Sequence, residues 1–144
     1  MANALGQRGL TLRVDLGAHR TPPVRELRRR VRDGLPDLCA ECVKDLELFI
    51  TELVKNAYEH GGRARHVVVR RSTAPPLVRI DVSDTDHDAL PVVRPVQAQA
   101  ERGRGLVLVS TLATRWGVDV EPDGKTVWAE LRCYTMEAFS SQVR

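Results

Sequence analysis

Twelve consecutive residues constrain this chain more than any others: Phe49-Ile50-Thr51-Glu52-Leu53-Val54-Lys55-Asn56-Ala57-Tyr58-Glu59-His60. At ~100° per residue, Leu46, Phe49, Ile50, Leu53 and Ala57 fall on one stripe, the pattern of an amphipathic helix that must bury one face. Lys44, Glu47, Thr51, Lys55 and Tyr58 then point towards water. Glu52 and Asn56 belong to neither set. Spaced four apart, they sit one above the other along the edge of the stripe. They are either solvated polar positions or a carboxylate and a carboxamide that hold a divalent cation and a water between them. Gly61-Gly62 ends the helix, as glycine does at a C-terminal cap.

The length, 144 residues, suits a single domain, and 42% apolar residues suffice for one core. With 28% charged residues and a net charge of +3, neither disorder nor a nucleic-acid-coating protein is indicated. The first eight residues lack the apolar run of a signal peptide, and no stretch reaches membrane-spanning length, so a soluble cytoplasmic protein is expected. Cys39-Ala40-Glu41-Cys42 has metal-ligand or redox spacing, but no second Cys or His pair completes a zinc set. The pair also enters a helical pattern rather than following a strand. Ordinary thiols are the expectation there, with Cys133 far away in sequence.

Residues 10–16 alternate apolar and polar, which predicts a half-buried strand. Thr21 precedes Pro22-Pro23 as a candidate N-cap for a helix over residues 24–31. That helix carries Arg25, Arg28, Arg29, Arg30 and Arg32 on its polar side. No aromatic residues interleave for base stacking, so a solvated or partner-facing surface is expected there. Gly34 to Pro36 breaks the chain, and Asp37 opens the long helix. Residues 64–70 and 77–82 read as strands joined by a hairpin around Pro75-Pro76. Residues 115–120 and 125–131 form a second such pair around Pro122-Asp123-Gly124. The residues after Cys133 carry little pattern.

Two further stretches bear on chemistry. Asp84 leaves a strand in the polar run Ser83-Asp84-Thr85-Asp86-His87-Asp88. The segment from 86 to 102, with Pro91 and Pro95, is long for a connector and reads as a lid or binding loop. Then Gly103-Arg104-Gly105-Leu106 stands directly before a helical pattern. Free backbone N–H groups and a positive helix end at such a place suit phosphate.

Taken in order, these stretches resemble the Bergerat (GHKL) ATP-binding domains of gyrase, Hsp90, histidine kinases and MutL. Within that group the chain is most similar to the small bacterial anti-sigma factor serine kinases. Glu52-Leu53-Val54-Lys55-Asn56-Ala57 with His60 matches their N-box, and Asp84 stands where the adenine-reading aspartate of the G1 box stands. Gly103-Arg104-Gly105-Leu106 matches the G2 box, and Gly124-Lys125-Thr126-Val127 the final glycine–threonine motif. The resemblance covers about residues 10–132 and leaves 133–144 as a tail.

That resemblance implies an α/β two-layer sandwich, a mixed, mostly antiparallel sheet with three helices on one face. It implies ATP and Mg²⁺ as cofactors, with Asn56 as the metal ligand and Glu52 as the catalytic general base. Asp84 would accept the adenine amino group, Gly103 and Gly105 would cradle phosphates, Arg104 would add a contact, Leu106 completes the motif, and Thr126 would support the adenine end. The implied function is an anti-sigma factor that phosphorylates a serine on an anti-anti-sigma partner and sequesters a sigma factor. It would be a homodimer, with residues 24–32 as the candidate interface. One departure stands out: Asp86 and Asp88 occupy the two glycine positions of the G1 box. A non-catalytic ATP-binding or degenerate regulatory module is the alternative, and a histidine kinase catalytic domain is a third.

Overall fold

A computed structural model of the chain describes residues 9–60, 63–86 and 101–137, with side chains except at 60 and 101–104. Along the chain run β1 (Leu10–Asp15), α1 (Val24–Gly34), α2 (Ala40–His60), β2 (Ala64–Thr73), β3 (Pro76–Asp84), α3 (Glu101–Leu112), β4 (Arg115–Glu121) and β5 (Gly124–Arg132). The strands form one sheet in the order β1-β2-β3-β5-β4. Every adjacent pair is antiparallel. The mixed sheet expected from the sequence is therefore wholly antiparallel among the described residues. The reason is the last hairpin, which folds β5 back between β3 and β4 so that it opposes both.

Period-two alternation puts Val67, Val69, Val78, Ile80, Val82, Val127, Ala129 and Leu131 on one sheet face, and each of them is buried. The helices cover that face. On α2, Leu46, Phe49, Ile50, Leu53 and Val54 are fully buried against it. Each such side chain contributes about 1.5–3 kcal/mol of transfer free energy, which is why α2 is the anchor of the layer. The opposite sheet face is polar and self-paired. There Arg79 bonds Asp81 at 2.7 Å and Glu130 at 3.3 Å, with its guanidinium 4.3 Å over the Trp128 ring.

Several local expectations change. Thr51 does not face water; its hydroxyl donates to the Glu47 carbonyl at 2.7 Å, the i−4 bond open to a helical threonine. Thr21 does not cap α1, which begins after Pro23 without a side-chain cap. Helix α2 begins at Ala40 rather than Asp37, because Asp37 is engaged elsewhere. Its carboxylate takes two hydrogen bonds from Arg71 on β2, at 2.7 and 2.8 Å. The segment after β5 folds back along the same place, with Cys39 N–H donating to the Tyr134 carbonyl at 2.9 Å. This brings Cys133 to Cys42, whose sulfur lies 3.1 Å from that of Cys39. All three are free and buried, and burial pushes the Cys42 and Cys133 thiols up. A raised thiol pKa leaves less of the reactive thiolate at neutral pH.

Of the described helices, none is long and apolar enough to cross a membrane. Gly61-Gly62, the proposed lid residues Pro91 and Pro95, and Asp88 lie outside the described residues.

Candidate functional site

Helix α2 carries the first two candidate groups because its core stripe fixes its rotation. With Leu53 and Val54 fully buried, Glu52 is left half-buried at the stripe's edge and Asn56 one turn further on, buried. Among the described residues, the buried Asn56 side-chain oxygen has no hydrogen-bond partner. A buried acceptor in that state is uncommon and calls for a donor or a cation.

Helix α3 meets α2 at Glu52. A Cβ built on Gly105 would collide with Glu52 Oε2 and stand 3.3 Å from Glu52 Cβ. The glycine thus answers to close helix approach, against the Glu52 side chain, rather than to a turn. The double glycine does not precede the helix as expected: α3 starts at Glu101, so Gly103 is its third residue and Gly105 its fifth. The first four N–H groups of a helix have no acceptor within it, and Gly103 falls among them at an end that favours anions. Gly105 is one residue too far along for that. Leu106 places its side chain in the core, 2% exposed. The side chain of Arg104 lies outside the described residues.

Asp84 ends β3 on the helix-covered face, 1% exposed. Its Oδ1 accepts from Lys125 Nζ at 3.0 Å and from the Asp86 backbone N–H at 2.9 Å. Its Oδ2 is buried with no partner among the described residues. Burial pushes the Asp84 carboxyl above its usual range, against the opposing pull of Lys125 and of the Asp86 N–H. The Asp86 main chain also holds Lys125, its carbonyl accepting from Nζ at 3.2 Å, while the Asp86 charge adds to the upward push on Asp84. No described non-glycine residue has positive φ, so position 86 does not need glycine. The aspartate that replaces the motif's glycine is accommodated.

Lys125 is the residue that motif reading missed. In β5 it pairs with Asp84 across the sheet and is 1% exposed. Alternation gives the signal: 125, 127, 129 and 131 share the buried face, so a lysine in that register needs a counter-charge. By the same alternation Thr126 points to the other face, where its hydroxyl donates to Glu121 at 3.0 Å. The side chain expected at the adenine end is therefore directed away from Asp84, and Lys125 is directed towards it. Gly124 completes the corner, because a Cβ there would strike the Asp84 carbonyl oxygen.

Glu52 with Gly105, and Asp84 with Lys125 and Gly124, thus form two contact groups. Helix α2 packs against α3, β3 and β5, the elements that carry them. A separate cavity of about 790 Å³ lies on another side of α2, lined by Arg28, Leu35, Val43, Leu48 and Leu112 among others. None of the candidate nucleotide residues lines it. Among the described residues, no group of three or more His, Cys, Asp or Glu could hold a metal. A magnesium site here would depend on Asn56 and on the ligand's own oxygens.

Comparison with known proteins bears on the family and the fold. The histidine kinase-like ATPase domain matches residues 18–131. An uncharacterised protein of Streptomyces coelicolor is 32% identical over 83 residues, 56% of this chain and 79% of that protein. The solved RsbU and RsbW domains of Rv1364c from Mycobacterium tuberculosis share the fold with a TM-score of 0.61 at 21% identity. That match covers 88% of this chain, which spans only 34% of the other. The histidine kinase domain of a blue-light activated kinase from Erythrobacter litoralis gives a TM-score of 0.49 at 17% identity, over 83% of this chain and 61% of that one.

Proposed function

The chain belongs to the histidine kinase-like ATPase domain family, and we propose that it binds ATP with Mg²⁺ and transfers the γ-phosphoryl group to a serine of a protein partner. Two buried oxygens without partners among the described residues, Asn56 Oδ1 and Asp84 Oδ2, support this reading. One suits a hard cation that prefers oxygen ligands, the other the exocyclic amino group of adenine.

The chain's own groups divide the work. Asn56 would hold the magnesium ion, which when bound neutralises charge building on the β- and γ-phosphates. Glu52 would take the proton of the serine hydroxyl as its oxygen bonds to the γ-phosphorus and the bond to ADP breaks. Gly103 N–H, with Arg104, would meet the phosphates. In regulation, the partner would be a small anti-anti-sigma protein, and this chain would also sequester a sigma factor. The exposed Arg25, Arg29 and Arg30 on α1 are a proposed partner-facing or dimer surface, Arg28 and Arg32 being paired with Glu47 at 3.3 and 3.0 Å.

Incubation with γ-labelled ATP and candidate partner proteins tests the proposal. Phosphoserine should form on one partner, and Glu52→Gln should slow it by roughly 10²–10⁴-fold. Absence of phosphoserine with every partner, despite ATP binding, would leave a regulatory module without catalysis. Phosphohistidine on a partner would point to histidine kinase chemistry instead.

A further inference from the structure

We infer that Lys125 sets the nucleobase specificity of this site by withholding one of the two Asp84 oxygens. The inference rests on the proposal that the Asp84 corner receives a purine. A carboxylate has two oxygens and about four acceptor positions. Here Oδ1 is taken twice, by Lys125 Nζ at 3.0 Å and by the Asp86 N–H at 2.9 Å. Only Oδ2 is left, buried and without a partner among the described residues. Lys125 is itself fixed by its second acceptor, the Asp86 carbonyl at 3.2 Å, and both side chains of the ion pair are 1% exposed.

Purines differ in what they need from such a carboxylate. Adenine presents one amino group, and one oxygen satisfies the N–H directed at it. Guanine presents two parallel donors, N1–H and the 2-amino N–H, spaced to engage both oxygens of a carboxylate together. With Oδ1 occupied, a guanine entering here would bury one donor unpaired. Sites that strand a buried polar group reject that ligand strongly. Lys125 is therefore a positioning residue: it holds Asp84 in one rotamer and makes it a single acceptor.

Titration of ATP, GTP and ITP onto the full chain and onto Lys125→Met tests this. The wild-type protein should prefer ATP over GTP by at least about tenfold, the consequence of one unpaired buried donor. ITP, whose base keeps N1–H but lacks the 2-amino group, should lose less than GTP. In Lys125→Met, Oδ1 is released and the ATP-to-GTP ratio should fall to about threefold or less, as GTP gains relative to ATP. A purely structural role would weaken all three nucleotides by one common factor, and that result would overturn the inference while leaving ATP binding intact. If Lys125→Met does not fold, the wild-type protein still decides, because equal affinities for GTP and ITP would overturn it. Failure of the wild-type protein to bind any nucleotide would remove both the inference and the reading beneath it.

Discussion

Gly105 on α3 backs directly onto the carboxylate of Glu52 on α2, leaving no room between them for a methyl group. Two helices far apart in sequence are thereby locked at the point where the proposed base sits. The helix that would bind phosphate and the helix that would take the proton form one unit.

Gly105→Ala should separate stability from activity at this contact. In a helix interior, alanine gains about 1 kcal/mol over glycine, which offsets much of the crowding because the nearest atom is the end of a flexible side chain. The thermal midpoint should therefore move little. Phosphotransfer should fall by about 10²-fold, since a displacement near 1 Å of a catalytic group has that effect. A melting curve beside a single-turnover assay checks both, and an unchanged rate would remove Glu52 from its assigned position.

Gly124→Ala should behave differently. Its added Cβ would meet backbone, the Asp84 carbonyl oxygen and, at 3.1 Å, Thr85 Cα. Backbone cannot swing aside, so a loss of about 1–3 kcal/mol is expected from overpacking at this corner. Urea denaturation measures it. A midpoint equal to that of the wild-type protein would show that the β5 corner is looser than described.

Asp37 gives the pH dependence. Its hydrogen bonds from Arg71 hold the carboxyl below the usual range. A lowered folded pKa means that the stabilisation is present above the unfolded value, near 3.8, and is lost as pH falls through the folded one. The Asp37 side chain is 52% exposed, so the effect at pH 7 should not exceed about 1 kcal/mol. Asp37→Asn should lose this increment at neutral pH and match the wild-type protein in strong acid. Denaturant titrations across that range test it, and a constant difference at all pH values would contradict it.

The sequence carried the layer architecture because α2 and the sheet obey simple periods. Leu46, Phe49, Ile50 and Leu53 recur at helical spacing and are all buried. Strand order was not readable in the same way, since β5 reaches its place between β3 and β4 through long-range pairing. The start of α3 was misplaced because Gly-x-Gly resembles a turn, whereas its glycine at 105 answers to a side chain on another helix. Thr126 fits a glycine–threonine motif by residue type, whereas the strand's own alternation turns position 125 towards Asp84. Lys125 escaped notice because a lysine in a strand ordinarily reads as solvated. Only the register with Asp84 reveals its buried counter-charge.

Titration of ATP with and without Mg²⁺, on the wild-type chain and on Asn56→Ala, bears on the whole nucleotide site. The buried Asn56 oxygen has no partner among the described residues, and losing one metal contact should weaken Mg²⁺-dependent binding by about 10-fold to 100-fold. The wild-type protein should bind ATP more tightly with Mg²⁺ present, and Asn56→Ala should lose that gain while keeping its metal-free affinity. Equal binding by the two proteins at every Mg²⁺ concentration would contradict the metal role of Asn56, and no binding by either would dismiss the nucleotide site itself.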